Sequence, residues 1–168
     1  MHKTKREDQF VSFIGEHDSI IRSVSRVYVG SDVDEEADLY QDIVCQLWRK
    51  WHLFRGESKS STWVYRVALN CARTYNRKKK RHPNTQPYPQ NMFVVPSQMD
   101  EKVLMIDALY ELINRLKPQD KDLIYLYLNR LPINEIAQIT HLTPTAIAKR
   151  IVRLKQTLRE MWNEEESL

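Results

Sequence analysis

Lys149, Arg150, Arg153, Lys155 and Arg159 crowd one stretch near the end of the chain, and no acid interrupts them between Thr143 and Arg159. Guanidinium and ammonium groups in this arrangement make no covalent bonds. They hydrogen-bond base edges and neutralise phosphates. Ile147, Ile151, Leu154 and Leu158 recur there at helical spacing, so they should face a core and turn Thr145, Lys149, Arg153 and Gln156 outward. Thr145, Lys149 and Arg153 are then candidates for duplex DNA, with Arg150 and Lys155 nearer the flank and suited to phosphate. A second cationic tract runs from Arg66 to Arg81, with seven bases and no acid. Trp63 and Tyr65 precede or open it. Asn70 and Arg73 lie within it, and Arg77-Lys78-Lys79-Lys80-Arg81 ends it. Rings and amides interleaved with cations suit unstacked bases. The terminal run by itself also reads as cations complementing a helix dipole, and Trp63 stands where it could either line a core or meet a base. Asp32 to Asp42 is the opposite case, six acids and no base. Such segregation implies two surfaces with different partners, one repelling phosphate and one attracting it.

The elements that must position these groups are helical. Phe10 to Val29 carries Phe10, Phe13, Ile14, Ile21 and Val24 as an apolar stripe and breaks at Gly30-Ser31-Asp32. Asp32 to Trp51 is a second helix, striped by Leu39, Ile43, Leu47 and Trp51, with Tyr40, Val44 and Trp48 alongside. Trp48 and Trp51 are expected in the core. A polar loop with Gly56 follows, then a third helix from Thr62 to about Lys80. Between His82 and Gln98 four prolines (Pro83, Pro87, Pro89, Pro96) favour an extended connector. Helical periodicity resumes over Asp100 to Leu116, with Val103, Ile106, Leu109, Tyr110 and Ile113 apolar, and Pro118 opens a helix through Leu128. Ile133-Asn134-Glu135-Ile136-Ala137 and the helix begun by Thr143-Pro144 read as a helix-turn-helix, with Thr143 as cap and Glu135 orienting the turn. The expected architecture is all-α, with lobes at 1–81 and 100–168 and a linker at 82–99. Lobes this short are marginal alone, so stability should depend partly on a bound partner.

Composition narrows the classes. Of the 168 residues, 42% are hydrophobic and 29% charged, which fits a folded soluble chain. The net charge of +4 is modest, so its distribution matters more than its sum. Cys45 and Cys71, the only cysteines, form no CxxC pair and are expected as buried, reduced thiols. No apolar run reaches the roughly 18 residues of a membrane span, and the basic N-terminus lacks a secretory h-region. A cytoplasmic protein is expected. The five histidines show no metal-ligand spacing, and no phosphate loop or nucleophile elbow occurs. No catalytic residue, metal, cofactor or small-molecule substrate is therefore expected.

Together these tracts resemble sigma-70-type RNA polymerase initiation factors of the compact extracytoplasmic-function group. Asp38-Leu39-Tyr40-Gln41-Asp42-Ile43-Val44 is similar to that family's D-L-x-Q-[DE] helix. The resemblance implies that Asp38, Leu39, Gln41, Asp42 and Val44 dock on the clamp of core RNA polymerase. Phe54-Arg55-Gly56-Glu57 and Ser61 to Asn70 resemble the segment that melts and reads the downstream promoter element. This implies strand-binding roles for Phe54, Arg55, Trp63, Arg66, Asn70, Arg73, Arg77 and Lys78. Leu116 to Arg153 resembles the family's helix-turn-helix for the upstream element. An anti-sigma partner is implied as well, in a bacterial cytoplasm. Ser60 stands where the family usually has an aromatic, and Ala146 and Ala148 stand where it usually has polar residues.

Read without the resemblance, Asp38, Gln41 and Asp42 share one helix surface. That surface is either a solvated acidic face or a seat for arginines of a partner. The rival for the whole chain is a stand-alone helix-turn-helix regulator that binds duplex DNA as a dimer. An RNA-binding adaptor would use the basic run alone.

Overall fold

The computed structural model describes residues 5–30, 32–81 and 101–167. Seven α-helices occur in this order: α1 (Lys5–Val29), α2 (Val33–Lys50), α3 (Ser60–Arg81), α4 (Glu101–Asn114), α5 (Pro118–Leu128), α6 (Ile133–Thr140) and α7 (Pro144–Glu166). A short 3-10 turn, Trp51–Leu53, follows α2. Among the described residues there is no strand. The expected connector at 82–99 lies outside the described residues, as does the side chain of Val103.

The helices begin and end for local reasons. Asp32 caps α2 by accepting from the amides of Asp34 and Glu35, while Gly30 ends α1 with φ +73°, a backbone state that glycine adopts without steric cost. Pro118 and Pro144 each occupy a first helical turn, where the missing N–H costs nothing. The Thr143 hydroxyl accepts from the Ala146 amide at 3.2 Å, as the sequence suggested. α6 closes on His141 in the left-handed region, its amide bonded to the Ala137 carbonyl at 2.9 Å.

Two groups of helices form. In the first, α1, α2 and α3 pack on one another around Phe13, Ile21, Val24, Leu39, Ile43, Leu47, Val64, Val67 and Leu69. At one end Phe13, Trp51, Phe54 and Trp63 make a ring cluster, with Trp51 stacked over Phe54 at 6.0 Å and Phe54 5.1 Å from Trp63. In the second group α4 to α7 bury Leu112, Ile113, Leu123, Ile124, Leu126, Ile136, Ile139, Ile147 and Ile151. Each such aliphatic side chain contributes about 1.5–3 kcal/mol by leaving water. The groups also pack together, α3 on α6 and α1 on α4. Each lobe therefore gains part of its burial from the other.

Several expectations are corrected. Cys45 is exposed and Cys71 half-buried, so neither is a fully buried core thiol. Burial, with the Asp42 charge adding to it, still pushes the Cys71 thiol up to about 11. Trp48 is 38% exposed rather than core. Its indole meets Phe10 edge-on at 4.9 Å and lies under the Arg6 guanidinium. Ile106 is exposed, with Leu104 and Met105 beside it. α3 begins two residues before the expected Thr62, because the Lys59 carbonyl accepts from the Trp63 amide.

Replacing Thr143 with Ala leaves the Ala146 amide without its side-chain acceptor. A loss of about 1 kcal/mol is expected, to be measured by urea unfolding of the full chain.

Candidate nucleic-acid interface

α7 presents its outer face as the apolar spacing requires. Ile147, Ile151, Leu154 and Leu158 are buried, while Thr145, Lys149, Arg153 and Gln156 are exposed. Between Lys149 and Arg153 lies Val152, 68% exposed. Ala148, Lys149, Val152 and Arg153 line a shallow concavity of about 660 Å³. Sequence reasoning passed over Val152, although its offset from the Ile147–Ile151–Leu154 stripe marks it as outward. An exposed valine between two cations suits a thymine methyl. Arg150 turns aside and pairs with Asp120 at 2.6 Å. Lys155 sits 4.6 Å over the Tyr127 ring. Ala146 is half-buried and Ala148 exposed.

On α2, Asp38, Gln41 and Asp42 are all exposed and Val44 is half-buried. Leu39 is wholly buried. It therefore orients the acidic face from within and is corrected as a direct contact residue. The acids at the start of α2 are partly engaged inside the lobe. Glu35 pairs with Lys79, and Glu36 with Arg26.

The residues of α3 and of the loop before it divide three ways. Trp63 is buried in the ring cluster and Phe54 half-buried there; Trp63 is thereby corrected from base contact to core. Arg55, Asn70, Arg77 and Lys78 are exposed. Arg66 and Arg73 are half-buried because the second lobe lies on them. Arg66 Nη2 donates to the Gln138 carbonyl at 2.8 Å, and Arg73 pairs with Asp122 at 2.8 Å while also donating to Asn70. Asn70, Arg73, Thr74, Arg77, Lys80 and Arg81, with Pro118 and Gln119 of α5, line a cleft of about 620 Å³.

Ser60, at the departure from the family pattern, has a structural partner. His17 Nδ1 donates to the Phe13 carbonyl at 2.8 Å, and the Ser60 hydroxyl lies 3.0 Å from Nε2. The imidazole thus ties α1 to the start of α3. Glu135 does not orient its own turn; it pairs with Lys59 across the lobes.

The main group that sequence reasoning missed is Asp122, 3% exposed. The Tyr28 hydroxyl donates to it, and the Lys121 ammonium, 4% exposed, lies 4.3 Å over the Tyr28 ring. Burial pushes the Asp122 carboxyl up to about 6, against the opposing pull of the Tyr28 hydrogen bond, Arg73 and Lys121. Burial likewise lowers Lys121 to about 8, and Tyr28 is raised by its burial and by the Asp122 charge.

Residues 13–82 match the Sigma-70 region 2 family and residues 106–158 the Sigma-70 region 4 family. The chain belongs to the sigma-70 family. Two solved structures share the fold. CnrH, in complex with the cytosolic domain of CnrY, superposes with a TM-score of 0.66 at 16% identity, covering 92% of this chain and 88% of its own. The sigma factor RpoE from Bartonella quintana, in complex with the anti-sigma factor NepR, gives 0.66 at 17% identity, covering 92% and 97%. No curated protein sequence matches significantly. Regions 2 and 4 of this sigma factor correspond to the α1–α3 and α4–α7 groups. No helix among the described residues is long and apolar enough to cross a membrane.

The Asp122 shift has a sign. The native carboxyl holds its proton to higher pH than the unfolded one, so its contribution to stability is full below about pH 4 and falls as pH rises through about 6. Lys121 works oppositely, its contribution lost as pH falls from the ordinary lysine range through about 8. Thermal melts should show stability rising on acidification from pH 7 to pH 5. The rise should be smaller in Asp122→Asn, which has no carboxyl to titrate.

Proposed function

We propose that this sigma factor is of the compact extracytoplasmic-function group, binds core RNA polymerase, directs it to specific promoters and helps open the duplex. The reading is carried by region 2 and region 4 standing in one chain with little between them. It assigns lobes to 1–81 and 100–168 and a linker to 82–99. The exposed acids and amide of α2 would meet arginines of the polymerase clamp. Exposed Arg55, Asn70, Arg77 and Lys78, joined by Arg66 and Arg73, would hold melted strand. Phe54 and Trp63 would support that surface from the ring cluster.

On α7, Thr145, Lys149 and Arg153, with Val152 between them, would read the upstream duplex. Arg150 and Lys155 would serve phosphate from the flank. Catalysis would stay with the polymerase, and the site of action would be the bacterial cytoplasm. CnrH and RpoE are each described in complex with a protein partner, and RpoE's is an anti-sigma factor. An anti-sigma factor is accordingly proposed for this chain.

The deciding experiment is sequencing of transcripts made by core polymerase with and without the protein. New, shared start sites are expected. A dimer that protects a palindrome without polymerase would instead favour a stand-alone regulator.

Reversing Asp38 and Asp42 to Lys should weaken co-migration with core polymerase while binding of an upstream duplex persists; equal loss of both would count against the assignment. Replacing Arg153 with Ala should cost upstream-duplex binding about 1–3 kcal/mol if it reads a base. An unchanged base preference in a competition assay would remove Arg153 from that role.

A further inference from the structure

We propose that the cleft between the last turns of α3 and the first turn of α5 is a binding site for a short polyphosphate anion, either free or as the phosphate tail of a nucleotide. The inference goes beyond the proposed function and does not rest on it.

Four-residue steps set Arg73, Arg77 and Arg81 in one file along α3, and Lys80 joins them from the neighbouring position. All four line the cleft, whose volume of about 620 Å³ is that of a small-ligand site. No acid lines it. Like charges at this spacing repel one another. The ion pairs of α3 lie elsewhere, Lys79 on Glu35 and Arg73 on Asp122. Arg77, Lys80 and Arg81 are exposed and have no acidic partner among the described residues. Across the cleft, burial lowers the Lys121 ammonium to about 8, and the Lys80 charge adds to that lowering against the pull of Asp122. Cations of two helices thus crowd one concavity with no anion to neutralise them.

The spacing also sets the kind of anion. From Arg73 to Arg81 the helix rises about 12 Å, which suits several linked phosphates better than one. Arg73 is the fixed end of the file, its guanidinium held by Asp122 and by the Asn70 side chain. The outer three cations can close on the rest of the anion through charge-assisted hydrogen bonds. Opposite them Gln119 lies in the first turn of α5, whose cap supplies no side chain to the helix amides. No aromatic ring lines the cleft, so it offers nothing on which the bases of a strand could stack. The group it recognises is the phosphate chain.

The test is isothermal titration calorimetry of the full chain in metal-free buffer at about 150 mM salt, where exposed charges are screened. Sodium tripolyphosphate should bind once per chain and about tenfold more tightly than sulfate, because it reaches a further cation. ATP in the same buffer separates the sources: affinity equal to or above that of tripolyphosphate assigns a nucleotide tail, and affinity well below it assigns the free anion. Lys80→Gln combined with Arg81→Gln should weaken tripolyphosphate at least about tenfold. Both side chains are exposed, and circular dichroism melts verify that the fold is kept. Lys149→Gln combined with Arg153→Gln removes the same charge on α7 and should leave the affinity unchanged. Equal weakening by the two double variants, or tripolyphosphate no tighter than sulfate, overturns the site. A single-stranded oligonucleotide that binds where neither tripolyphosphate nor ATP does overturns it in favour of nucleic acid. Failure to join or redirect core polymerase would strike the proposed function instead, because the titration contains no polymerase.

Discussion

A carboxylate taken out of water must be surrounded by donors, and that requirement at Asp122 organises the whole molecule. Left alone in a low-dielectric site, the charge would cost several kcal/mol. Tyr28, Arg73 and the neighbouring Lys121 offset part of that cost, and they do so only if α1, α3 and α5 converge. Few arrangements of the two lobes satisfy this condition. The hydrophobic cores make each lobe a bundle, but apolar packing is tolerant of small rotations, whereas a buried carboxylate bonded to a fixed hydroxyl donor and a half-buried arginine is less so.

α3 carries the consequences because it has three environments along and around one helix. Its start is anchored in the ring cluster by Trp63 and fastened to α1 through His17 and Ser60. Its middle packs the first core on one side and meets the second lobe through Arg66 and Arg73 on the other. Its last turns carry exposed cations. The aim of those cations is therefore set by aromatic packing many residues upstream.

Much of the fold was legible in the sequence because helical periodicity and capping chemistry are local. Thr143 with Pro144, the Ile147–Leu158 stripe and the Leu39–Ile43–Leu47 stripe each announced a helix and its buried side. The exposure of Cys45 follows from the same arithmetic. Cys45 is two residues from both Ile43 and Leu47, about 200° around the helix from each, so it faces away from the core. Trp48 follows Leu47 and falls on the stripe's margin, where size and hydrophobicity mislead. Leu39 was named as a contact because it shares a short motif with outward acids; its phase puts it inside. The lobe-to-lobe arrangement had no local signature. Tyr28 and Asp122 are 94 residues apart, and an acid in the first turns of a helix ordinarily reads as a dipole complement. Only the tertiary fold reveals that Asp122 points inward. Val152 carries no charge to mark it, and only its phase against the Ile147–Ile151–Leu154 stripe places it outward.

Genomic DNA is a vast excess of decoy polyanion, and a cationic protein that binds it indiscriminately is withdrawn from the search for its own sites. Two arginines of α3 are instead engaged by an internal carboxylate and carbonyl. The packing of the second lobe on α3 thus lowers the number of guanidinium groups that the molecule offers to any polyanion around it.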